Sequence, residues 1–117
     1  MDDLEKLLES LKAELRRGTL VLSVLVALNE PEYGYALVQK LNDYHFEVEG
    51  NTLYPLLRRL EKQGLLKSVW KTDDGKPKKY YTLTSEGEFM RDALKGAWNE
   101  TNQVMCDLMK GENNIER

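Results

Sequence analysis

The side chains between Asn51 and Lys62 carry the chemistry most directly readable in this 117-residue chain. At about 100° per residue a helix here sets Asn51, Pro55, Arg58 and Lys62 in one outward row, with Tyr54 and Arg59 on its flanks. Guanidinium, ammonium, amide and phenol groups in such a row can hydrogen-bond phosphates and base edges. Thr52 adds a hydroxyl at the same end. A second cationic group, Lys76, Lys78 and Lys79, follows in Thr72-Asp73-Asp74-Gly75-Lys76-Pro77-Lys78, a polar turn with Asp-Gly at its centre, and in the residue after it.

The first row needs a helix to hold it. Leu53, Leu56, Leu57 and Leu60 recur at i, i+3, i+4 and i+7, so the opposite face is apolar and demands a partner beneath it. Pro55 has no N–H for a helix interior and is expected in or near the first turn, with Asn51 or Thr52 as N-cap. Gly64 follows as the left-handed residue after a helix ending near Gln63. Strands at about Leu66 to Lys71 and Lys79 to Leu83 then form a β-hairpin whose three lysines crowd one side of its tip. Tyr80 and Tyr81 alternate across the return strand, one ring inward and one outward. A cationic hairpin tip suits a phosphate backbone or a minor groove; the plainer alternative is a solvated hairpin whose lysines protect an edge strand.

The remaining elements build a support. Leu4, Leu7, Leu8, Leu11 and Leu15 stripe a helix over about Asp2 to Arg16, acidic early and basic late, as a helix dipole prefers. After Gly18 and a Thr19 cap, Leu20 to Leu28 is apolar nearly all round and fits a buried central helix. Asn29-Glu30-Pro31-Glu32 ends it. A helix over about Gly34 to Asn42 is expected to bury Tyr35, Leu37, Val38 and Leu41, and a loop from Asp43 to Gly50 leads into the cationic helix. Thr84 or Ser85 caps a last helix reaching about Met109, with Ser85 and Glu88 at capping-box spacing. Met90, Ala93, Leu94, Ala97, Thr101, Val104, Met105 and Leu108 stripe that helix, with Trp98 and Met109 on its shoulder. One small core cannot cover such a length. A second copy of the chain closes both terminal stripes, giving an interface of Leu4, Leu8, Leu11, Leu15, Leu94, Trp98, Thr101, Met105 and Leu108. The competing arrangement is a monomer with its first and last helices folded together.

The resulting fold class is mainly α with a small β-hairpin, a winged helix-turn-helix. The expected segments are a dimerisation helix at 1–17, the winged helix-turn-helix at 18–83, a second dimerisation helix at 84–111 and a disordered tail at 112–117. Composition agrees with one globular domain, at 41% hydrophobic and 32% charged residues. The longest apolar run is too short for a bilayer and the N-terminus is acidic, so a cytoplasmic location is expected. Cys106 and His45 are the only cysteine and histidine, which gives no disulfide pair or metal cluster. No glycine-rich phosphate loop or nucleophile triad is present, so neither an enzyme nor a cofactor is expected. His45 is expected only to meet solvent or cap a helix.

Charge is distributed unevenly. The whole chain is −3, yet residues 54–81 hold eight basic side chains against three acidic ones, or +5, leaving −8 elsewhere. A cationic head on an acidic body suits localised DNA contact. The competing reading is an interaction module that uses the same basic face to hold an acidic protein, without sequence preference.

Arg17-Gly18-Thr19-Leu20-Val21-Leu22, Pro31-Glu32-Tyr33-Gly34-Tyr35, Thr52-Leu53-Tyr54-Pro55-Leu56-Leu57-Arg58-Arg59-Leu60-Glu61, Gly64-Leu65-Leu66, Lys79-Tyr80-Tyr81-Thr82-Leu83-Thr84 and Glu86-Gly87 run through the chain in order. Their order and spacing resemble the PadR-type transcriptional regulators, in particular the small subclass with one long C-terminal helix. The resemblance implies a homodimeric repressor on a palindromic operator, with the reading helix in the major groove, the wing on the flanking backbone, and a small ligand that releases the DNA. It places Asn51, Thr52, Tyr54, Arg58, Arg59 and Lys62 on the reading helix, Lys76, Lys78 and Lys79 on the wing, and Tyr35 on a phosphate. It further matches Trp98 to a tryptophan that stacks planar aromatic ligands at the dimer seam; Asn102, one turn on, would add a polar contact. Simple interface packing is the plainer role for Trp98. Asp73-Asp74-Gly75-Lys76-Pro77 departs from the glycine-pair and arginine pattern of the family's wing.

Overall fold

The computed structural model describes residues 2–111, the Asp73 side chain excepted. Five helices and three strands follow in the order α1 (Asp2–Arg17), α2 (Leu20–Ala27), β1 (Glu32–Tyr33), α3 (Gly34–Asp43), α4 (Gly50–Lys62), β2 (Leu66–Asp73), β3 (Lys76–Leu83) and α5 (Ser85–Gly111). The sheet is antiparallel with order β1-β3-β2. It is one strand larger than the expected hairpin: Glu32 and Tyr33 pair with Tyr81 and Tyr80. Two residues are too few to show a period, so this strand exists only through its partner.

The core is where the leucine spacing places it. Leu53, Leu56, Leu57 and Leu60 of α4 pack with Leu20, Val24, Leu25 and Leu28, with Leu37 and Leu41 of α3, and with Leu66, Tyr81 and Leu83 of the sheet. Tyr35 is not part of it and is 57% exposed; at the second position of α3 it points away from Leu37 and Leu41.

The hairpin is longer than expected. Its turn is Asp74-Gly75 alone, with φ of 54° and 77°, the left-handed pair of a type I′ turn. Pro77 therefore lies inside β3, opposite Thr72 and one pair from the turn. In a two-residue hairpin that second pair makes no ladder bond, so the missing N–H costs nothing.

Helix ends also differ in detail. Thr19 does not cap α2 with its side chain; its Oγ1 donates back to the Arg16 carbonyl at 3.0 Å, tying α2 to α1. Thr84, not Ser85, caps α5, its Oγ1 accepting the Gly87 N–H at 3.0 Å and donating to the Gly64 carbonyl at 2.6 Å. The Ser85–Glu88 capping box does not form, because Ser85 already lies within the helix and its hydroxyl donates to Glu86. His45, with φ of 64°, ends α3 in the left-handed conformation usual for glycine. Its N–H reaches the Asn42 carbonyl and that of Phe46 reaches Leu41, which completes a Schellman motif.

The terminal helices stand apart from this core. No residue of α1 is buried, so α1 does not fold back to cover its own stripe. Helix α5 packs on α2 and β3 near its start and then runs on beyond them. The expected tail at 112–117 lies outside the described residues.

Candidate nucleic-acid interface

Helix α4 begins one residue before the expected caps. Glu49 is its N-cap, through its carbonyl, which accepts the Thr52 and Leu53 N–H groups at 3.0 Å each; its side chain makes no cap bond. Asn51 and Thr52 are thus freed from capping and both lie exposed in the first turn. Pro55 falls one turn further in than expected. Asn51 and Pro55 share the exposed face, so the Asn51 carbonyl that Pro55 cannot serve lies on the solvent side.

Tyr54 explains why α3 and α4 both open on glycine. A Cβ at Gly34 would stand 2.9 Å from Tyr54 Cε1, and one at Gly50 would stand 2.8 Å from Cε2. The ring is therefore clamped at both edges by the first turns of two helices, while 37% of the residue remains exposed. Helix N-termini carry partial positive charge, so a phosphate beside the Tyr54 hydroxyl would meet two of them. Tyr35 stands at the same end of α3, and its hydroxyl accepts from Gln39 Nε2 at 2.9 Å.

Along the rest of α4, Arg58, Arg59 and Lys62 are exposed and have no ion partner among the described residues. The end of the helix is locked. Gly64, with φ of 84°, donates to the Glu61 carbonyl, and Leu65 donates to Leu60. A rigid helix thus offers three unneutralised cations on one side and four buried leucines on the other.

The wing corrects the expectation that its three lysines share a side. Strand alternation puts Lys76 and Lys78 on one face and Lys79 on the other. Lys78 Nζ lies 4.5 Å above the Tyr33 ring and Lys71 Nζ 5.3 Å above Tyr80, so the outer face interleaves cations with tyrosines. Tyr33 also stacks with Tyr35, at 6.5 Å between centroids. Lys79 instead turns inward, 3.4 Å from Glu61 Oε1 and over the Tyr81 ring. Ser68 Oγ donates to the other oxygen of Glu61 at 2.6 Å. These bonds, the Ser68 hydroxyl foremost, hold the Glu61 carboxyl below its usual range. Desolvation opposes the charge on Lys79, but Tyr81 and Glu61 outweigh it and raise the ammonium above its ordinary value. Glu61, Lys79 and Ser68 thereby bolt the wing to α4. Residues 61 and 79 are too far apart in the chain for spacing to reveal the pair; the alternation of β3 would have separated Lys79 from Lys78.

Among the described residues no group of three or more His, Cys, Asp or Glu side chains is placed to hold a metal ion, and no helix is long and apolar enough to cross a membrane. Cys106 is exposed on α5. Trp98 is 44% exposed, and Asn102, one turn on, is exposed as well.

Residues 21–93 match the profile of the transcriptional regulator PadR-like family. The chain belongs to the PadR family. It is similar to a PadR family transcriptional regulator from Eggerthella lenta, at 44% identity over 94% of this chain and 98% of that one, with a TM-score of 0.88. A PadR-like regulator from Bacillus cereus is 32% identical over 84% of this chain and 98% of its own, with a TM-score of 0.75. A transcriptional regulator from Mycobacterium tuberculosis is 36% identical over 75 residues, 63% of this chain and 70% of that protein. The protein is accordingly a winged-helix transcriptional regulator of the PadR type, and these relatives are regulators rather than enzymes.

Proposed function

We propose that the protein is a homodimeric repressor that binds an inverted-repeat operator. The observation that carries this reading is the solvent face of α4, where Arg58, Arg59 and Lys62 have no counter-charge among the described residues, on a helix anchored by four buried leucines. Asn51, Thr52, Arg58, Arg59 and Lys62 enter the major groove, with Arg58 central enough for a bidentate contact to guanine. Tyr35 and Tyr54 take phosphates at the N-termini of α3 and α4, and Lys76 and Lys78 take the backbone beside the wing. Lys79 contributes by fixing the wing's angle through Glu61.

Dimerisation is supported by the terminal helices. Leu4, Leu8, Leu11 and Leu15 are each more than half exposed, and Trp98, Met105 and Leu108 are 44%, 43% and 65% exposed. Thr101 is open too, whereas Leu94 already packs on the core. The radius of gyration is 17.7 Å, against about 13 Å for a compact domain of this length, as expected if a partner completes the fold. In the dimer 1–17 and 84–111 form the interface and 18–83 the reading head. A planar aromatic effector stacking on Trp98, with Asn102 as a polar contact, would release DNA by favouring one spacing of the two heads over the other.

The test is selection of bound fragments from sheared genomic DNA at fixed near-physiological salt. The dimer predicts an inverted repeat with half-sites about one helical turn, ~34 Å, apart. Diffuse enrichment without a motif would instead favour a basic interaction module.

A further inference from the structure

Trp70 lies on the edge strand β2 and is 68% exposed, an unusual position for the largest apolar side chain. Its cross-strand partner is Lys79, so Trp70, Lys79, Ser68 and Tyr81 share the inner face of the hairpin. Ser68 and Lys79 both bond Glu61 of α4, which fixes where that face looks. Ser68 is half-buried, but Trp70, about 7 Å closer to the tip, extends past the cover that α4 provides. It stands nearer the hairpin tip than the Ser68–Glu61–Lys79 contact, on the face of the wing that this contact turns toward the C-terminal half of α4. No role in the site described above uses it.

We propose that Trp70 is a DNA contact whose indole packs against a deoxyribose of the strand dividing the two grooves. The proposal rests on the docking described under Proposed function. If α4 occupies a major groove and the wing meets the adjacent minor groove, one sugar–phosphate strand must cross the angle between them. The carbon face of a deoxyribose is apolar and flanked by charge; an indole offers a flat apolar face with one N–H at its edge. The surroundings suit this occupant. Arg58 and Lys62 are exposed on α4 and Lys79 is the cross-strand neighbour of Trp70, within a segment of net charge +5. The same patch of a second copy would bring like charges to this place, whereas a polyanion brings counter-charges.

An apolar contact displaces no counterions, so its signature differs from that of a lysine on a phosphate. Trp70 and Trp98 are the two tryptophans, so the emission that the native chain has and Trp70→Phe lacks belongs to Trp70. Titration with the duplex recovered by selection should shift its fluorescence and reduce acrylamide quenching severalfold. In the otherwise native chain, Trp70→Ala should weaken binding roughly tenfold at every salt concentration, leaving the slope of log affinity against log salt unchanged. Trp70→Phe should recover most of that loss, which guards against misfolding as its cause. The proposal is overturned if acrylamide still reaches Trp70 at DNA saturation, if Trp70→Ala binds as the parent does, if the loss comes as a shallower slope, or if the variant changes oligomeric state instead. Failure of the parent protein to select any sequence would sink the operator reading itself, and this contact with it; an inert Trp70 in a protein that binds its operator overturns the contact alone.

Discussion

Gly87→Ala should be among the most damaging single-methyl changes available in this protein. Gly87 is the third residue of α5 and is buried. Thr84 and Gly87 staple the start of α5 to the end of α4: Thr84 N–H donates to the Leu65 carbonyl at 3.1 Å, and Thr84 Oγ1 bridges the Gly64 carbonyl and the Gly87 N–H. A Cβ on Gly87 would be driven into the Leu65 carbonyl oxygen, with Leu83 Cδ2 a further 3.3 Å contact. Leu65 cannot retreat, since its own N–H is held by Leu60 at 3.0 Å. Overpacking of this kind costs about 3 kcal/mol, and alanine's helix preference returns about 1 kcal/mol, so the net loss is about 2 kcal/mol. That corresponds to a fall in Tm of roughly 8 °C at this chain length. Gly96→Ala on the same helix is the control: no atom lies within 4 Å of its added methyl, and it should be neutral or up to about 1 kcal/mol stabilising. Thermal unfolding by circular dichroism at one protein concentration, because an associating chain melts in a concentration-dependent way, separates the two. A Gly87→Ala protein that melts at or above the parent temperature would refute the packing argument.

His45→Gly should stabilise by about 0.5 to 1 kcal/mol, since a left-handed histidine costs about 1 to 2 kcal/mol and glycine's extra chain entropy offsets only part of the gain; urea titration reads it as a higher midpoint at constant slope. Glu61→Gln should cost on the order of 1 kcal/mol at neutral pH by loosening the wing. Because the folded carboxyl titrates below its ordinary 4.5, its contribution is complete above that value and vanishes as pH falls through the lowered one. The stability curves of parent and variant should therefore converge in acid, and parallel curves down to the acid limit would exclude the bolt.

The parts of the fold legible in the sequence are those governed by local periodicity. The leucines of α4 sit at helical spacing and all four are buried; Gly64 adopts the positive φ its place after a helix requires; Asp74-Gly75 forms the turn. Features made by distant partners were not legible. The strand at Glu32–Tyr33 appears only because β3 lies beside it, and Lys79 leaves the wing tip because Glu61 and Ser68 wait on the inner face. His45 caps a helix, one of the two roles expected of it, but its left-handed conformation was not legible because that geometry normally selects glycine. Tyr54 could be placed on the right face from spacing, but the two-glycine clamp that orients its ring needed the packing of α3 on α4.

In the proposed complex the outward face of α4 reads sequence while the wing supplies charge. The most direct test compares Arg58→Ala and Lys78→Ala on the selected duplex and a scrambled one across a salt series. Arg58→Ala should lose about 1 to 3 kcal/mol of preference for the selected duplex, whereas Lys78→Ala should weaken both duplexes alike and lower the salt slope by about one. An Arg58→Ala protein that keeps the full preference would contradict this assignment.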